Sequence, residues 1–167
     1  MKNSLHKLFH AIATSKSEHQ MRMHFMDSVG EYFDVQRWGI YMFDENSSHS
    51  AIEVCGVPDK FLELYASIGI KLDPVLRYVT EHHAPAHEEM VLPLGGWKKC
   101  QLYKNCYAHY NHEHIMTGPI VGGGKLIGTL HFARITTPAF NYQDIADLSG
   151  ICMHISASLA NLKSQKI

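Results

Sequence analysis

Hydrophobic residues near the start of the chain recur at helical spacing. Four of them fall at i, i+3, i+4 and i+7 and predict a first amphipathic helix: Leu5, Leu8, Phe9 and Ile12. Ser17 followed by Gln20 matches a capping box and predicts the start of a second helix. The apolar residues of that second helix share one face: Met21, Phe25, Val29 and Phe33. Two helices are therefore expected before the first strand.

The pattern then changes from helical spacing to alternation. Residues 36–43 and 50–54 predict a β-hairpin across a polar turn that begins at Asp44. Alternation in the first strand separates Trp38, Ile40 and Met42 from Gly39, Tyr41 and Phe43. Because Trp38 and Tyr41 lie on opposite faces, only one of them can face a pocket.

The middle of the chain predicts helices with one short strand. Pro58 opens a third helix, on which Phe61, Tyr65 and Ile68 share a side. The Asp73-Pro74 pair has the sequence of an N-cap and first helical residue, so another short helix is expected there. Residues 89–92 are predicted as an edge strand and residues 98–110 as a helix.

The last third of the chain predicts strand, glycine turn, strand and one long helix. Residues 119–121 form a short β-prone run, Gly122 to Gly124 can supply the positive φ angles of a tight turn, and residues 126–133 return as a second strand. On the return strand, Thr129 and His131 share a face with apolar neighbours. A few polar groups on an apolar wall are typical of a small-molecule pocket.

The final helix carries an apolar stripe at alternating intervals of three and four residues: Ile145, Leu148, Cys152, Ile155, Leu159 and Leu162. This spacing predicts a packed seam and, through it, a homodimer. The competing interpretation is that the stripe is used entirely in packing on the sheet of its own chain.

Composition narrows the class of protein. The 167 residues are 46% hydrophobic and show no composition break, so residues 1–167 are predicted to form a single domain. The chain has 15 basic and 16 acidic residues, so no excess of positive charge favours nucleic-acid binding by this chain. The sequence predicts neither a signal peptide nor a membrane span. Four scattered cysteines without a CxxC pair suit reduced thiols and a cytoplasmic location.

The chain resembles GAF-type sensor domains over nearly its whole length. The residues that carry the resemblance are Gly118-Pro119-Ile120, the glycine turn, the 126–130 strand, Phe140 and the final helix. Within that group, Tyr65, Asp73-Pro74-Val75 and Pro85 are similar to the autoinducer-binding domains of LuxR-type transcription regulators, and the overall pattern resembles the GAF-containing LuxR-type regulators of cyanobacteria. The resemblance implies an α/β/α sandwich around a central antiparallel sheet of about five strands.

The resemblance also implies a ligand-binding site, but this sequence matches only some of the family's site residues. Asp73 matches the family carboxylate that accepts a hydrogen bond from the amide N–H of the lactone ligand. His131 lies near the position of a small polar residue that helps to hold the acyl carbonyl of that ligand. Two family tryptophans would fall at Lys60 and Glu88, so both aromatic walls are expected to be missing. Without these aromatic walls, we infer a related fold that binds a different ligand or whose ligand site has decayed. The predicted ligand-binding residues are Asp73, His131, Thr129, Tyr65 and Trp38. For Asp73 and His131, purely structural roles as a helix cap and as an interior histidine remain open.

A second cluster of potential chemistry lies between Trp97 and His114. It contains Cys100, Cys106, His109, His112 and His114, in a chain with 13 histidines. Such residues suggest a metal, haem or iron–sulfur redox sensor. On a helix, however, Cys100 and Cys106 cannot converge on one ion. No cofactor is therefore expected, and a redox sensor is kept as an alternative.

The sequence thus predicts a regulatory domain without catalytic activity. No glycine-rich elbow around a cysteine, phosphate loop or HExxH motif is present. The prediction is a cytoplasmic, small-molecule-sensing or signal-transducing domain, the sensor part of a transcription regulator. Its partners would be a small ligand of unknown identity and a second copy of the chain. A ligand-free protein-interaction adaptor is the other alternative.

Overall fold

The computed structural model describes residues 2–165, and the side chains from Leu5 onward. The helices within this range are α1 (Lys2–Ala13), α2 (Glu18–Phe33), α3 (Asp59–Leu64), α4 (Ile70–Leu72), α5 (Pro74–His82), α6 (Glu88–Val91), α7 (Gly96–Lys99), α8 (Gln101–Asn105) and α9 (Tyr142–Ser164). A π-helical turn (Tyr65–Gly69) joins α3 to α4, and a 3-10 turn (Tyr107–Tyr110) follows α8. The strands are β1 (Arg37–Phe43), β2 (His49–Cys55), β3 (Ala86–His87), β4 (His114–Gly122) and β5 (Lys125–Arg134).

The strands form one antiparallel sheet in the order β2-β1-β5-β4-β3. Helices α1, α2 and α9 cover one face, called here the helical-core face. The segment from α3 to the 3-10 turn covers the other, called the cavity face. The predicted α/β/α sandwich with a five-stranded antiparallel sheet is thereby confirmed.

Local sequence signals account for the ends of the helices. Ser17 caps α2, where its hydroxyl accepts the N–H of Gln20 at 3.0 Å. The side chain of Gln20 reaches back to the N–H of Lys16 at 2.7 Å, one residue beyond the N-cap. A complete capping box starts α9, where Asn141 and Asp144 bond each other's backbone N–H groups. These caps satisfy amides that the first helical turn leaves unpaired.

The helical-core face contains the larger hydrophobic cluster. Its fully buried members come from helices α1, α2 and α9 and from the central strands, and include Phe25, Ile40, Leu130, Leu148, Ile151 and Ile155. The predicted stripe of α9 lies in this cluster, with Leu148, Cys152, Ile155 and Leu159 buried. The seam is thus used within the monomer, and the homodimer, which stays a prediction, would need another surface.

Helix α9 is also long and apolar enough to span a membrane by length and composition. In the structure it packs across β4 and against α1, with Leu148, Ile151, Cys152, Ile155 and Leu159 in the core. This is the usual behaviour of a central helix in a folded domain.

The predicted edge strand at 89–92 is wrong. The edge strand is Ala86–His87, and the chain turns into α6 at Glu88. The side chain of Glu88 explains the switch, because its Oε1 accepts the N–H of Ile115 at 2.9 Å, where the strand ladder would otherwise continue. The carboxylate thus replaces a strand hydrogen bond and ends the pairing.

The predicted helix at 98–110 is likewise divided. Cys100 has extended backbone angles between α7 and α8, and Cys106 is non-helical before the 3-10 turn. The breaks let Trp97, Leu102 and Tyr107 all lie in the smaller hydrophobic cluster, called here the cavity-face cluster, which also contains Phe61 and Tyr65. One straight helix could not point residues at these spacings toward the same core.

A bulge changes the predicted faces of β5. The pairing with β4 shifts between Ile120 and Val121, and Ile127 packs with the helical-core cluster instead of sharing a face with Thr129. Strand β4 is also much longer than predicted, since it begins at His114. A bulge inserts one residue and breaks strict alternation, and the sequence carries no separate signal for it.

Candidate functional site

Four of the five predicted site residues come together on the cavity face. Tyr65 and Asp73 come from the helical segment above the sheet, and Thr129 and His131 from β5 below it. The Tyr65 hydroxyl donates to Asp73 Oδ2 at 2.6 Å, and Thr129 Oγ1 lies 2.8 Å from His131 Nε2. The rings of Tyr65 and His131 meet edge to face, with their centroids 6.2 Å apart. The two hydrogen-bonded polar pairs thus meet through the rings of Tyr65 and His131.

Trp38 does not place its side chain in this group. Its indole lies on the helical-core face, where Nε1 donates to the carbonyl of Met26 at 3.0 Å and the ring fills the space above Gly30. The strand does border the cavity at this position, but alternation directs Tyr41 to the cavity side. The ring of Tyr41 lies 4.7 Å from that of His131. The structure thus directs the Tyr41 ring toward the cavity side and the Trp38 indole away from it, and the ligand contact predicted for Trp38 stays a prediction.

Asp73 is both a helix cap and a buried carboxylate. Its Oδ1 accepts the N–H groups of Val75 and Leu76 at 2.9 and 3.0 Å, so it caps α5 ahead of Pro74. Burial raises the pKa of its carboxyl, and the hydrogen bonds from Tyr65 and the two amides oppose that rise. Burial, followed by the nearby Asp73 charge, holds the pKa of Tyr65 well above its usual value. The tyrosine therefore stays a neutral donor to Asp73.

Aromatic rings line this group of residues, although the two positions matched to the family tryptophans, Lys60 and Glu88, are not aromatic. The position matched from Asp73 was Lys60, but the adjacent residue, Phe61, is 5% exposed and belongs to the cavity-face cluster. Its ring stacks on Tyr65 at 5.9 Å and on His112 at 4.3 Å. Tyr107 completes this wall, 5.2 Å from Phe61. The four-residue spacing of Phe61 and Tyr65 on one helix was the sequence signal for this wall.

His112 and Arg37 form a polar pair that the sequence did not predict as part of the site. Arg37 donates to His112 Nδ1 at 2.9 Å and also to the carbonyl of Tyr110. Because a guanidinium has only donors, Nδ1 must accept, and the neutral ring carries its proton on Nε2. Burial, then the charge of Arg37, lowers the pKa of His112 to about 3. The ring therefore presents an N–H donor beside Phe61 and Tyr107.

His131 is also neutral at physiological pH. Burial, then the neighbouring His49, lowers the pKa of its imidazole to about 4. One ring nitrogen is engaged with Thr129, a residue that is 1% exposed. A neutral imidazole can donate or accept, according to its tautomer.

Two cavities meet at this group of residues. A small cavity of about 40 Å³, called here the inner cavity, lies between β1, β5 and α3 and is bordered by Phe61, Tyr107 and His112. A wide groove of about 1780 Å³ lies at the end of the sheet beside the β4–β5 turn. Tyr41, Tyr65 and His131 line both cavities. These three rings therefore form the partition between the inner cavity and the open groove.

The backbone of the helical segment positions the partition. The π-helical turn (Tyr65–Gly69) adds one residue to a turn and sets the direction of Tyr65. The Tyr65 ring lies over Gly69 so closely that a Cβ there would overlap it. Gly69 is needed for close approach, because its backbone is ordinary helix.

The cysteine and histidine cluster does not form one site. Cys106 is buried, and burial, followed by the charge of Asp73, raises the pKa of its thiol to about 12. His109 is exposed, and His112 is paired with Arg37. Among the described side chains, the metal-ligand types that converge are instead Glu88, Glu89 and His114.

The comparisons with known proteins agree with this architecture. The family model described as GAF domain matches residues 19–159. The chain belongs to the GAF domain family. GAF domains are sensory and signal-transduction domains, and the GAF resemblance predicted from the sequence is confirmed. With the LuxR-type ligand-binding domains the chain shares its fold.

Solved structures give the same fold at low sequence identity. The GAF domain of a phosphoenolpyruvate-protein phosphotransferase from Coxiella burnetii is 13% identical, with a TM-score of 0.70 and coverage of 99% of this chain and 95% of that one. The VqsR ligand-binding domain from Pseudomonas aeruginosa is 16% identical, with a TM-score of 0.66 and coverage of 98% and 96%. The N-acylhomoserine-lactone-dependent LuxR-family transcription factor CepR2 from Burkholderia cenocepacia is 14% identical, with a TM-score of 0.64 and coverage of 96% and 94%. A search of curated proteins gave no match.

Proposed function

We propose that this GAF domain senses a small organic molecule, which it binds between the sheet and the α3–α5 segment. The observation that carries the proposal is the facing pair of hydrogen-bonded groups, Tyr65 with Asp73 and Thr129 with His131, inside an aromatic layer. A folded core gains little from burying a carboxylate among aromatic rings. Such a group is common where a ligand must be oriented.

The polar groups indicate the chemistry of the ligand. Asp73 Oδ1 is occupied by the cap, whereas Oδ2 receives only the Tyr65 hydroxyl and can accept a further hydrogen bond. Asp73 borders neither cavity, so a ligand N–H or O–H would reach Oδ2 only when Tyr65 moves aside. The Nε2–H of His112 would suit an acceptor on the same molecule, and the wall formed by the rings of Phe61 and Tyr107 would suit an apolar body packed against it.

Binding would require the partition to open. A cavity of about 40 Å³ holds on the order of one to three waters, far below the several hundred Å³ of a typical ligand site. If Tyr41, Tyr65 and His131 separate, the inner cavity joins the groove. Ligand binding would then move the π-helical turn, which gives the domain a structural change to transmit.

The experiment is a thermal-shift screen of small metabolites, followed by calorimetric titration of any compound that stabilises the protein. Thr129→Val keeps the side-chain shape but removes the hydroxyl that pairs with His131, so affinity should fall by roughly tenfold. Tyr32→Phe is the matched control, because it removes a tyrosine hydroxyl bonded to Asp147 on the helical-core face. Compounds that bind Thr129→Val and the parent equally would contradict the proposed site.

The small volume of the inner cavity favours a second candidate, a ligand-free interaction adaptor. In that case Phe61, Tyr65, Tyr107 and His112 fill the space by themselves, and the cavity stays too small for a ligand. The ring resonances of Tyr65 and Tyr107 distinguish the two functions by NMR. A sensor should show them shifting when a hit from the screen is added, whereas an adaptor should leave them unchanged with every compound.

The biological setting extends the proposal. The LuxR-type neighbours support a role as the sensor part of a cytoplasmic transcription regulator, with a regulatory and not a catalytic task. A homodimer would be formed by a surface other than the buried stripe of α9. Light scattering of the purified chain tests the dimer, since an 18.9 kDa particle at high concentration would contradict it.

A further inference from the structure

A second group of polar side chains lies at the sheet edge, away from the proposed ligand site. It consists of His87 at the end of β3, Glu88 and Glu89 at the start of α6, and His114 at the start of β4. One ligand-type atom each from Glu88, Glu89 and His114 lies within 4.8 Å of the others. We propose that these side chains bind a divalent first-row transition ion, with Glu88 and His114 as the central ligands.

Glu88 is the feature that needs explanation. Its side chain is completely buried, yet the ion-pair partners within reach among the described residues are two histidines and no lysine or arginine. The carboxylate accepts the N–H groups of Ile115 and Glu89 at 2.9 and 3.1 Å, and His114 Nδ1 lies 3.0 Å away. Amide donors orient a carboxylate but do not neutralise its charge. A buried carboxylate requires such neutralisation. A divalent cation would supply that neutralisation.

His87 gives independent support for a missing ligand. Its side chain is 8% exposed, and Nδ1 has no hydrogen-bond partner among the described residues, although it lies 3.9 Å from Glu88 Oε2. Buried polar atoms in folded proteins nearly always have a partner. An ion between His87 and Glu88 would provide one, and His87 would then complete a set of two imidazoles and two carboxylates.

This ligand set indicates the class of metal. Imidazole and carboxylate ligands suit Zn²⁺ and its first-row neighbours, whereas Ca²⁺ and Mg²⁺ prefer oxygen ligands alone. Ligands around Zn²⁺ at about 2.0 to 2.2 Å lie roughly 3.3 Å from one another. The ligand atoms of Glu88, Glu89 and His114 lie within 4.8 Å of one another and need only small movements, whereas His87, with Nδ1 3.9 Å from Glu88 Oε2, would turn its ring toward the ion. Glu89 is exposed and leaves a path by which the ion can enter.

The site would also be linked to the cavity face. Glu88 holds the N–H of Ile115, and Ile115 borders the small cavity. An ion on Glu88 would therefore fix the start of β4 beside the proposed ligand site. The metal site does not depend on that ligand site, because the two groups share no residue.

The test is a titration of the purified metal-free protein with Zn²⁺, followed by calorimetry and by ¹⁵N spectra of the histidine rings. We expect one ion per chain and movement of the His87 and His114 ring nitrogens. Glu89→Gln changes an exposed side chain and should fold normally, with affinity weakened by roughly tenfold. His114→Gln should weaken it by about 100-fold or more, since even outer-shell changes cost 10- to 100-fold.

The control is the double variant His82→Gln and His83→Gln, which removes two exposed histidines near the site. It should bind Zn²⁺ as the parent does. The proposal is overturned if the parent binds no Zn²⁺, if the control loses binding as His114→Gln does, or if Glu89→Gln and His114→Gln both bind as tightly as the parent.

Discussion

The two faces of the sheet use the same strands for different purposes. The helical-core face is filled by aliphatic and aromatic side chains with few polar groups, and its members are mostly inaccessible to solvent. The cavity face buries a carboxylate, a histidine and several tyrosines beside a small cavity that the half-buried His131 also borders. The comparison teaches that the helical-core face supplies stability. The cavity face carries polar groups whose burial adds little stability, so we expect them to serve in binding a ligand.

The largest expected effect tests the helical-core face. Phe25→Ala removes a ring that is fully buried and packs edge-on against Phe132 at 6.0 Å. The free energy of unfolding should fall by about 3 to 5 kcal/mol, because a large cavity remains. Urea denaturation measures this loss. A change below about 1 kcal/mol would mean that this face is not the stabilising one.

The next prediction compares one tyrosine–carboxylate pair on each face. Tyr65→Phe leaves Asp73 Oδ2 buried without its donor, so unfolding should become easier by about 1 to 3 kcal/mol. Tyr32→Phe removes a similar bond of 2.7 Å to Asp147, but there water can replace the hydroxyl because the pair is part-buried. The expected loss is about 1 kcal/mol or less. Equal losses in urea denaturation would remove the distinction between the two sites.

Acidic pH should lower the free energy of unfolding through His112 on the cavity face. The pKa of its ring is about 3 in the fold against a usual 6.5, so between these values the unfolded chain takes up a proton that the fold does not. Stability from this group is therefore present above pH 6.5 and lost as the pH falls toward 3. The slope is at most about 1.4 kcal/mol per pH unit. His112→Gln should flatten it, and an unchanged slope in urea denaturation between about pH 7 and pH 5 would contradict this.

A smaller effect tests the placement of Trp38. Trp38→Phe removes the hydrogen bond to the carbonyl of Met26 on the helical-core face and should cost about 1 kcal/mol of stability. Ligand affinity should stay unchanged, since the indole does not face the cavity. Calorimetric titration with a compound from the screen measures this, and a tenfold loss of affinity would return Trp38 to the site.

The same division explains what could be predicted from the sequence. Helices α2 and α9 and the glycine turn follow from local chemistry: Ser17 and Asn141 as caps, apolar spacing, and Gly123 and Gly124 at positive φ. The cavity face depends on distant contacts. Glu88 ended a predicted strand by bonding Ile115, and His112 joined the site through Arg37, 75 residues away. Neither event has a local pattern.

The central claim is that Asp73 binds a ligand in addition to capping α5, and Asp73→Asn tests it most directly. The amide oxygen can still accept the N–H groups of Val75 and Leu76, so the helix cap is kept. The amide nitrogen cannot accept the Tyr65 hydroxyl, so the free energy of unfolding should fall by about 1 kcal/mol. A ligand donor at Oδ2 would lose a charged acceptor. Affinity for a compound found by thermal shift should therefore fall by roughly tenfold or more in calorimetric titration. Binding as tight as in the parent would mean that Asp73 is a cap alone and that the ligand does not lie on this face.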